Sequence, residues 1–276
     1  MTGIVRGFWM GLAGCSLSWL AACGSTPQET QTPTPQPVVT DASTTTEAPT
    51  QPQEAAPPER EIAAADEAKL GKLPKGVGIA VKKKAPDASA DDAMSGEKVS
   101  LKSLYAKGPT LVVFYRGGWC PYCNFQNRAL TEKYSEFESR GVQIVAISSD
   151  QVSNAVKTGK HYKVPFTLLS DSDLEAHTAY KVAVQLSPEE LEAYKKEGID
   201  LEAASGKDHH KLAIPSYFLV DAKGVVRWAH ADPDFRTRPS VEQLLAAIDK
   251  KLPKAKGAKG AAPKEEKVEK EEKKAE

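Results

Sequence analysis

The chain carries no excess of either charge: 37 Lys and Arg offset 37 Asp and Glu over 276 residues. A balanced chain has no global field to gather nucleic acid. Aromatic residues are sparse, and no basic stripe is interleaved with them, which argues against nucleic acid as a partner. Internal repeats and a second core are also absent. Apolar residues are concentrated between roughly residues 77 and 252, long enough to bury one substantial core. The uncharged run from Gly7 to Ala22, behind Arg6, is short for a membrane-spanning helix and fits the apolar region of a signal peptide. Cysteine is scarce too: Cys15, Cys23, Cys120 and Cys123 are all there is.

The run ends in Leu20-Ala21-Ala22-Cys23 and then Gly24-Ser25. This resembles the lipobox of bacterial lipoproteins, in which the cysteine is acylated and becomes the mature N-terminus. The resemblance implies a signal peptide over residues 1–22 and lipidation at Cys23. It also implies a lipid-anchored protein of the bacterial cell envelope, facing the periplasm or the exterior. A rival box, Leu12-Ala13-Gly14-Cys15, would leave the apolar remnant Ser16 to Ala22 on the mature protein, so Cys23 is preferred. Several acyl chains hold a protein stably at a membrane, where one is marginal.

Residues 23–65 are rich in Thr, Pro, Gln, Glu and Ala and read as a disordered tether. A flexible coil of about 40 residues spans roughly 35 Å end to end. Residues 253–276 are Lys, Glu, Ala and Gly in near charge balance and read as a second disordered tail. The folded domain is expected over residues 66–252.

Within that domain, Thr110-Leu111-Val112-Val113-Phe114-Tyr115 is an apolar, β-rich run. Arg116-Gly117-Gly118-Trp119-Cys120-Pro121-Tyr122-Cys123 follows, and Phe125, Leu130, Tyr134 and Phe137 then recur at helical spacing. The pattern is a strand, a tight glycine turn, and two cysteines opening a helix. Backbone N–H groups and the dipole at a helix N-terminus favour a thiolate. Pro121 suits the first helical position. A structural disulfide closing so small a loop would remove little unfolded-chain entropy, so the pair reads as a redox dithiol.

Strands are expected at Val142 to Ile147 and Phe166 to Leu169, with a weak helix from Gln151 to His161. Ser170-Asp171 is expected to cap a helix running through Tyr180. Ser187-Pro188-Glu189-Glu190 matches a capping box and begins an excursion ending near Lys211. Ser216 to Val220 and Val225 to Ala229, around Asp221-Ala222-Lys223-Gly224, make a hairpin. A terminal amphipathic helix spans Val241 to Leu252.

Taken together, Val99-Ser100-Leu101, the Trp119-Cys120-Pro121-Tyr122-Cys123 element, Val164 to Asp171 and Tyr217 to Asp221 resemble the peroxiredoxin-like branch of the alkyl hydroperoxide reductase/thiol-specific antioxidant family. That resemblance implies an α/β thioredoxin-like fold, a central mixed sheet flanked by helices. It implies a thiol oxidoreductase of antioxidant type with Cys120 as nucleophile, Cys123 as resolving thiol and no cofactor. Its substrate would be a hydroperoxide or a protein disulfide, and its partner an external, thioredoxin-like thiol reductant. Pro215 falls where thioredoxin-fold proteins place a cis-proline facing the dithiol. Trp119 would shape the contact surface or pack in the core.

Two departures stand out. Typical peroxiredoxins carry Thr or Ser at the position of Gly117 and Arg at the position of Pro215, leaving Arg116 to reach over the cysteine in their place. Typical thioredoxins bury an acid where this chain has Phe114. One rival from another class is a copper- or zinc-binding module using Cys120 and Cys123 with His209 or His210. Another is a purely structural lipoprotein.

Overall fold

The computed structural model describes residues 60–252. The expected signal peptide, Cys23, most of the expected tether and the expected tail from residue 253 lie outside the described residues. The fold begins earlier than residue 66. Ala63–Ala64 (β1), expected at the end of the tether, pair in parallel with residues 237 and 238. Such a pair is held by backbone groups, so it leaves no hydrophobic pattern to read.

Next come β2 (Ser89–Asp92), β3 (Lys98–Ser100) and α1 (Leu101–Lys107). Strand–helix units follow: β4 (Thr110–Phe114), α2 (Pro121–Glu132), α3 (Tyr134–Glu138), β5 (Gln143–Ser148), α4 (Val152–His161), β6 (Thr167–Ser170) and α5 (Glu175–Ala179). β7 (Ala183–Gln185) pairs with β8 (Lys211–Ala213) and brackets the excursion, which holds α6 (Pro188–Lys196) and α7 (Leu201–Ser205). The expected hairpin is β9 (Ser216–Val220) and β10 (Val226–Ala231). β11 (Thr237–Arg238) is the partner of β1, and α8 (Val241–Lys251) ends the described chain.

The main sheet runs β10-β9-β4-β5-β6-β2-β3. β4, β5 and β6 are parallel, and the remaining neighbours are antiparallel. Side chains alternate across a strand, and here both faces are covered. Leu111, Val113, Ile144 and Ala146 face one core with Leu130, Phe137, Leu244 and Ile248. Val112, Phe114, Val145 and Ile147 face the other with Leu104, Ala176 and Tyr180. This two-sided burial is why the central strands read as unbroken apolar runs. The fold is a mixed α/β sheet flanked by helices, as expected.

Two expectations are revised. Of Ser170 and Asp171 only Asp171 caps the helix, accepting a first-turn N–H of α5, which starts at Glu175 after Leu174 in a left-handed conformation (φ 60°). Ser170 is committed to a buried bond elsewhere. Ser170 donates its hydroxyl to the Asp150 carbonyl at 2.7 Å. Asp171 accepts the His177 backbone N–H at 2.8 Å and pairs with Nδ1 of its ring at 2.6 Å. The Ile214–Pro215 bond is trans, since no cis peptide occurs among the described residues. The chain there passes extended from β8 into β9, with Ile214 N–H bonded to the Val182 carbonyl at 2.8 Å, and makes no tight turn.

Candidate active site

The dithiol stands where β4 hands over to α2. Cys120 is the N-cap residue, with extended backbone (φ −88°, ψ 113°), and Pro121 takes the first helical position. Cys120 N–H is bonded to the Gly117 carbonyl at 3.2 Å, and the Cys120 carbonyl accepts the Cys123 N–H at 3.0 Å. Both sulfurs are free thiols and fully buried, and they hydrogen-bond to each other.

Two guanidinium groups reach the pair. Arg116 Nη1 donates to Cys120 Sγ at 3.8 Å, a long contact. Arg238 Nη2, from β11, donates to Cys123 Sγ at 3.2 Å. The two thiols behave as one acid. Burial pushes both up, but on Cys123 it is outweighed by the Cys120 hydrogen bond and then by the charges of Arg238 and Arg116, which bring Cys123 well below the usual thiol range. Cys120 is pushed up by burial and by the adjacent Cys123 charge. Of the two, Cys123 is the more acidic and Cys120 is the one placed to donate to it.

Arg116 is itself clamped. Its guanidinium lies 3.9 Å from the Phe235 ring centre, 5.0 Å from Trp119 and 5.3 Å from Tyr194. It also donates to the Tyr194 hydroxyl. Trp119 and Tyr194 meet edge to face at 5.7 Å, and both pack on the small cluster of Leu186, Leu201 and Leu212. The excursion is thus tied down beside the dithiol, and Tyr194 is its point of contact with the site.

The glycine turn explains one departure from the peroxiredoxin pattern. Gly117 has φ 155°, and a side chain there would place its Cβ 2.6 Å from Asp150 Oδ1 and closer still to the Trp119 indole nitrogen. No threonine or serine fits in that space. Asp150 is buried just beyond β5 and accepts Gly118 N–H through Oδ2 at 2.6 Å. Burial pushes its carboxyl up to about 7, against the bonds from Gly118, Ser148 and Trp119, while the Cys123 charge adds to the rise. A carboxyl that titrates near neutrality beside a dithiol can exchange protons with it.

Of the residues expected at the site, Cys120, Cys123, Arg116 and Trp119 come together. Pro215 lies level with Tyr115 by the register that pairs Phe114 with Ser216, and its carbonyl accepts Asp232 N–H at 3.3 Å rather than any group of the dithiol. The two excursion histidines are engaged outside the dithiol. His209 Nδ1 accepts Lys211 N–H at 3.0 Å, and His210 Nε2 pairs with Glu202 at 2.6 Å. Among the described residues no group of three metal-ligating side chains occurs.

Asp150, Tyr194, Phe235 and Arg238 were not anticipated from the sequence. Asp150 had a usable signal, an acid closing a buried strand at the end of a parallel sheet where sites gather. Arg238 had none.

The sheet order and the dithiol at the head of α2 define a thioredoxin-fold dithiol protein. The model of the AhpC/TSA family matches residues 81–229, more than half of the chain, and the chain belongs to that family. A chloroplastic peroxiredoxin Q of Populus jackii is 32% identical over 105 residues, 38% of this chain and 49% of that protein. A thiol-disulfide oxidoreductase ResA of Bacillus cereus is 31% identical over 101 residues, 36% of this chain and 57% of that protein. The chain thus spans about half the length of the curated relatives it matches. Among solved structures, peroxidoxin BcpB of Mycobacterium tuberculosis superposes with a TM-score of 0.50 at 16% identity, covering 64% of this chain and 99% of that one. Reduced Prx3 of Vibrio vulnificus, solved with hydrogen peroxide, gives 0.51 at 15% identity, covering 62% and 99%. These likenesses describe the fold.

Proposed function

We propose that this protein is a thiol oxidoreductase that cycles Cys120 and Cys123 between dithiol and disulfide, with a hydroperoxide as its oxidant. The observation that carries the reading is a hydrogen-bonded pair of free cysteines, sealed from solvent and flanked by two guanidinium groups. Full burial of both sulfurs favours a small oxidant over a protein surface. Cys120 passes its proton to Cys123 or Asp150 and attacks the distal peroxide oxygen; the O–O bond breaks, and the proton is returned to the leaving oxygen, which departs as an alcohol or water. The Cys120 sulfenic acid is then attacked by the Cys123 thiolate; the S–S bond forms, the S–O bond breaks, and hydroxide leaves. An external thiol reductant of thioredoxin type returns the disulfide to the dithiol.

A second reading, exchange with protein disulfides, is supported by Gly117, whose filled surroundings admit no peroxide-orienting hydroxyl. The likeness to a thiol-disulfide oxidoreductase points the same way. The deciding experiment mixes the reduced chain with hydrogen peroxide and measures the second-order rate constant, with C120S as control. A rate far above that of an ordinary thiolate supports peroxide reduction. A rate no better than an ordinary thiolate removes it, and rapid reduction of a protein disulfide by the same sample would then establish exchange.

The lipobox at Cys23 supports attachment to a membrane of the cell envelope through lipid. Incorporation of labelled fatty acid should be lost in C23S and kept in C15S; labelling that survives C23S would overturn the assignment.

A further inference from the structure

Arg238 is a fully buried cation. A buried charge is costly unless it is paired, yet among the described residues no carboxylate forms an ion pair with it. Its Nε donates to the Phe235 carbonyl at 3.2 Å, Nη2 donates to Cys123 Sγ at 3.2 Å, and Tyr217 also hydrogen-bonds to it. Nη1 has no partner, although it belongs to the same rigid fork that touches the sulfur. Cys123 is therefore the neighbour able to supply the balancing negative charge.

The fold is built to deliver this side chain. β11 stands outside the main sheet and is held by β1: Ala64 lies opposite Arg238, and Ala65 N–H donates to the Arg238 carbonyl at 2.8 Å. Gln126 of α2 donates to the Pro239 carbonyl at 3.1 Å and accepts the Tyr217 hydroxyl at 2.5 Å. The Arg238 segment is thus fixed to the helix that carries the dithiol.

We propose that Arg238 is a catalytic residue of the resolving step: it holds Cys123 as the thiolate that closes the disulfide, and it stabilises the reduced over the oxidised site. The proposal rests on the dithiol cycle described above. In that step Cys123 sulfur attacks Cys120 sulfur and expels hydroxide, or a thiolate where Cys120 carries a mixed disulfide. The product is neutral, so Arg238 loses its counter-ion on oxidation. A protein whose reduced form is selectively stabilised has a strongly oxidising disulfide. Where typical peroxiredoxins carry Arg at the Pro215 position, this chain brings a guanidinium from β11, directed at the other cysteine.

The test uses the full chain with C15S and C23S, so that Cys120 and Cys123 are its only thiols. Ultraviolet thiolate absorbance is followed against pH for wild type, R238Q and R238K. The groups around Cys123 are Cys120, Arg116, Arg238, Asp150, Tyr115 and Tyr217, so D150N is titrated alongside to separate its contribution. R238Q is expected to lose most of its thiolate at neutral pH and to close the disulfide at least about tenfold more slowly, with Cys120 sulfenic acid trapped by dimedone. Its equilibrium with glutathione should shift about tenfold toward the disulfide, a potential about 30 mV more negative. R238K should recover part of each effect.

Wild-type titration and wild-type equilibrium in R238Q would overturn the proposal. So would identical titrations in R238K and R238Q accompanied only by lower thermal stability. If R238Q does not fold, R238K carries the test: slower closure supports the proposal, and unchanged closure overturns it. A wild-type chain that forms no disulfide with any oxidant would defeat the cycle itself, while the titration would still report on Arg238.

Discussion

Replacing Asp150 by Asn should make the reduced protein more stable, and only above the acid range. The carboxyl is buried and pushed up from its ordinary 3.8 to about 7. Between those values the folded state binds a proton that the unfolded chain releases. The stability this contributes is complete below about pH 4 and is lost as pH rises through about 7. At about 1.4 kcal/mol per pH unit, the rise sets a ceiling of about 4 kcal/mol on the cost of ionised Asp150 in the fold. Asn keeps the shape and an oxygen for Gly118 N–H but cannot ionise. D150N should match wild type near pH 4 and exceed it by about 2–4 kcal/mol at pH 8, a gain of about 2–4 °C in melting temperature per kcal/mol for a domain of this size. Urea denaturation of both proteins at several pH values, with a phosphine reductant present, measures the difference directly. Because the Cys123 charge adds to the rise, the pH-dependent gain should shrink in the oxidised protein. A D150N–wild type difference that is flat from pH 4 to pH 8 would refute the reasoning.

Other outcomes follow from the same geometry. Gly117→Thr, which supplies the hydroxyl of typical peroxiredoxins, should cost about 3 kcal/mol or more by overpacking against Asp150 and Trp119; an unchanged urea midpoint would show that the turn yields easily. Tyr194→Phe removes the acceptor of the Arg116 bond and should cost about 1.5–3 kcal/mol, the usual worth of a hydrogen bond to a charged group. It should also speed alkylation of Cys120 by iodoacetamide, and an unchanged rate would mean that the excursion does not shield the sulfur. In Cys123→Ser, peroxide should leave a Cys120 sulfenic acid that dimedone traps in stoichiometric amount; failure to trap it would remove Cys120 from the nucleophile's role.

The strand–turn–helix around the dithiol was legible in the sequence because its cause is local. β4 is a buried run, Pro121 begins a helix, and the two cysteines are held in one turn by the chain itself. The capping box at Ser187 and the Asp221 hairpin were legible for the same reason, since neighbours in sequence form their bonds. The excursion's histidines and Ser170 suggested roles that their partners in the fold, Glu202 and Asp150 among them, took away. The trans bond at Pro215 likewise follows from an extended passage between β8 and β9 that no local residue announces.

The sequence alone pointed to Cys120 and Cys123 as a dithiol and to the helix that presents them. It could not determine their charge state. That depends on Arg238, 115 residues from Cys123, and on Asp150, 32 residues from Gly118. A thiol's acidity follows from the charges and the water around it, and here the sheet order, the β1–β11 pair and the packed excursion bring the charges in and keep the water out. Only the tertiary structure decided that.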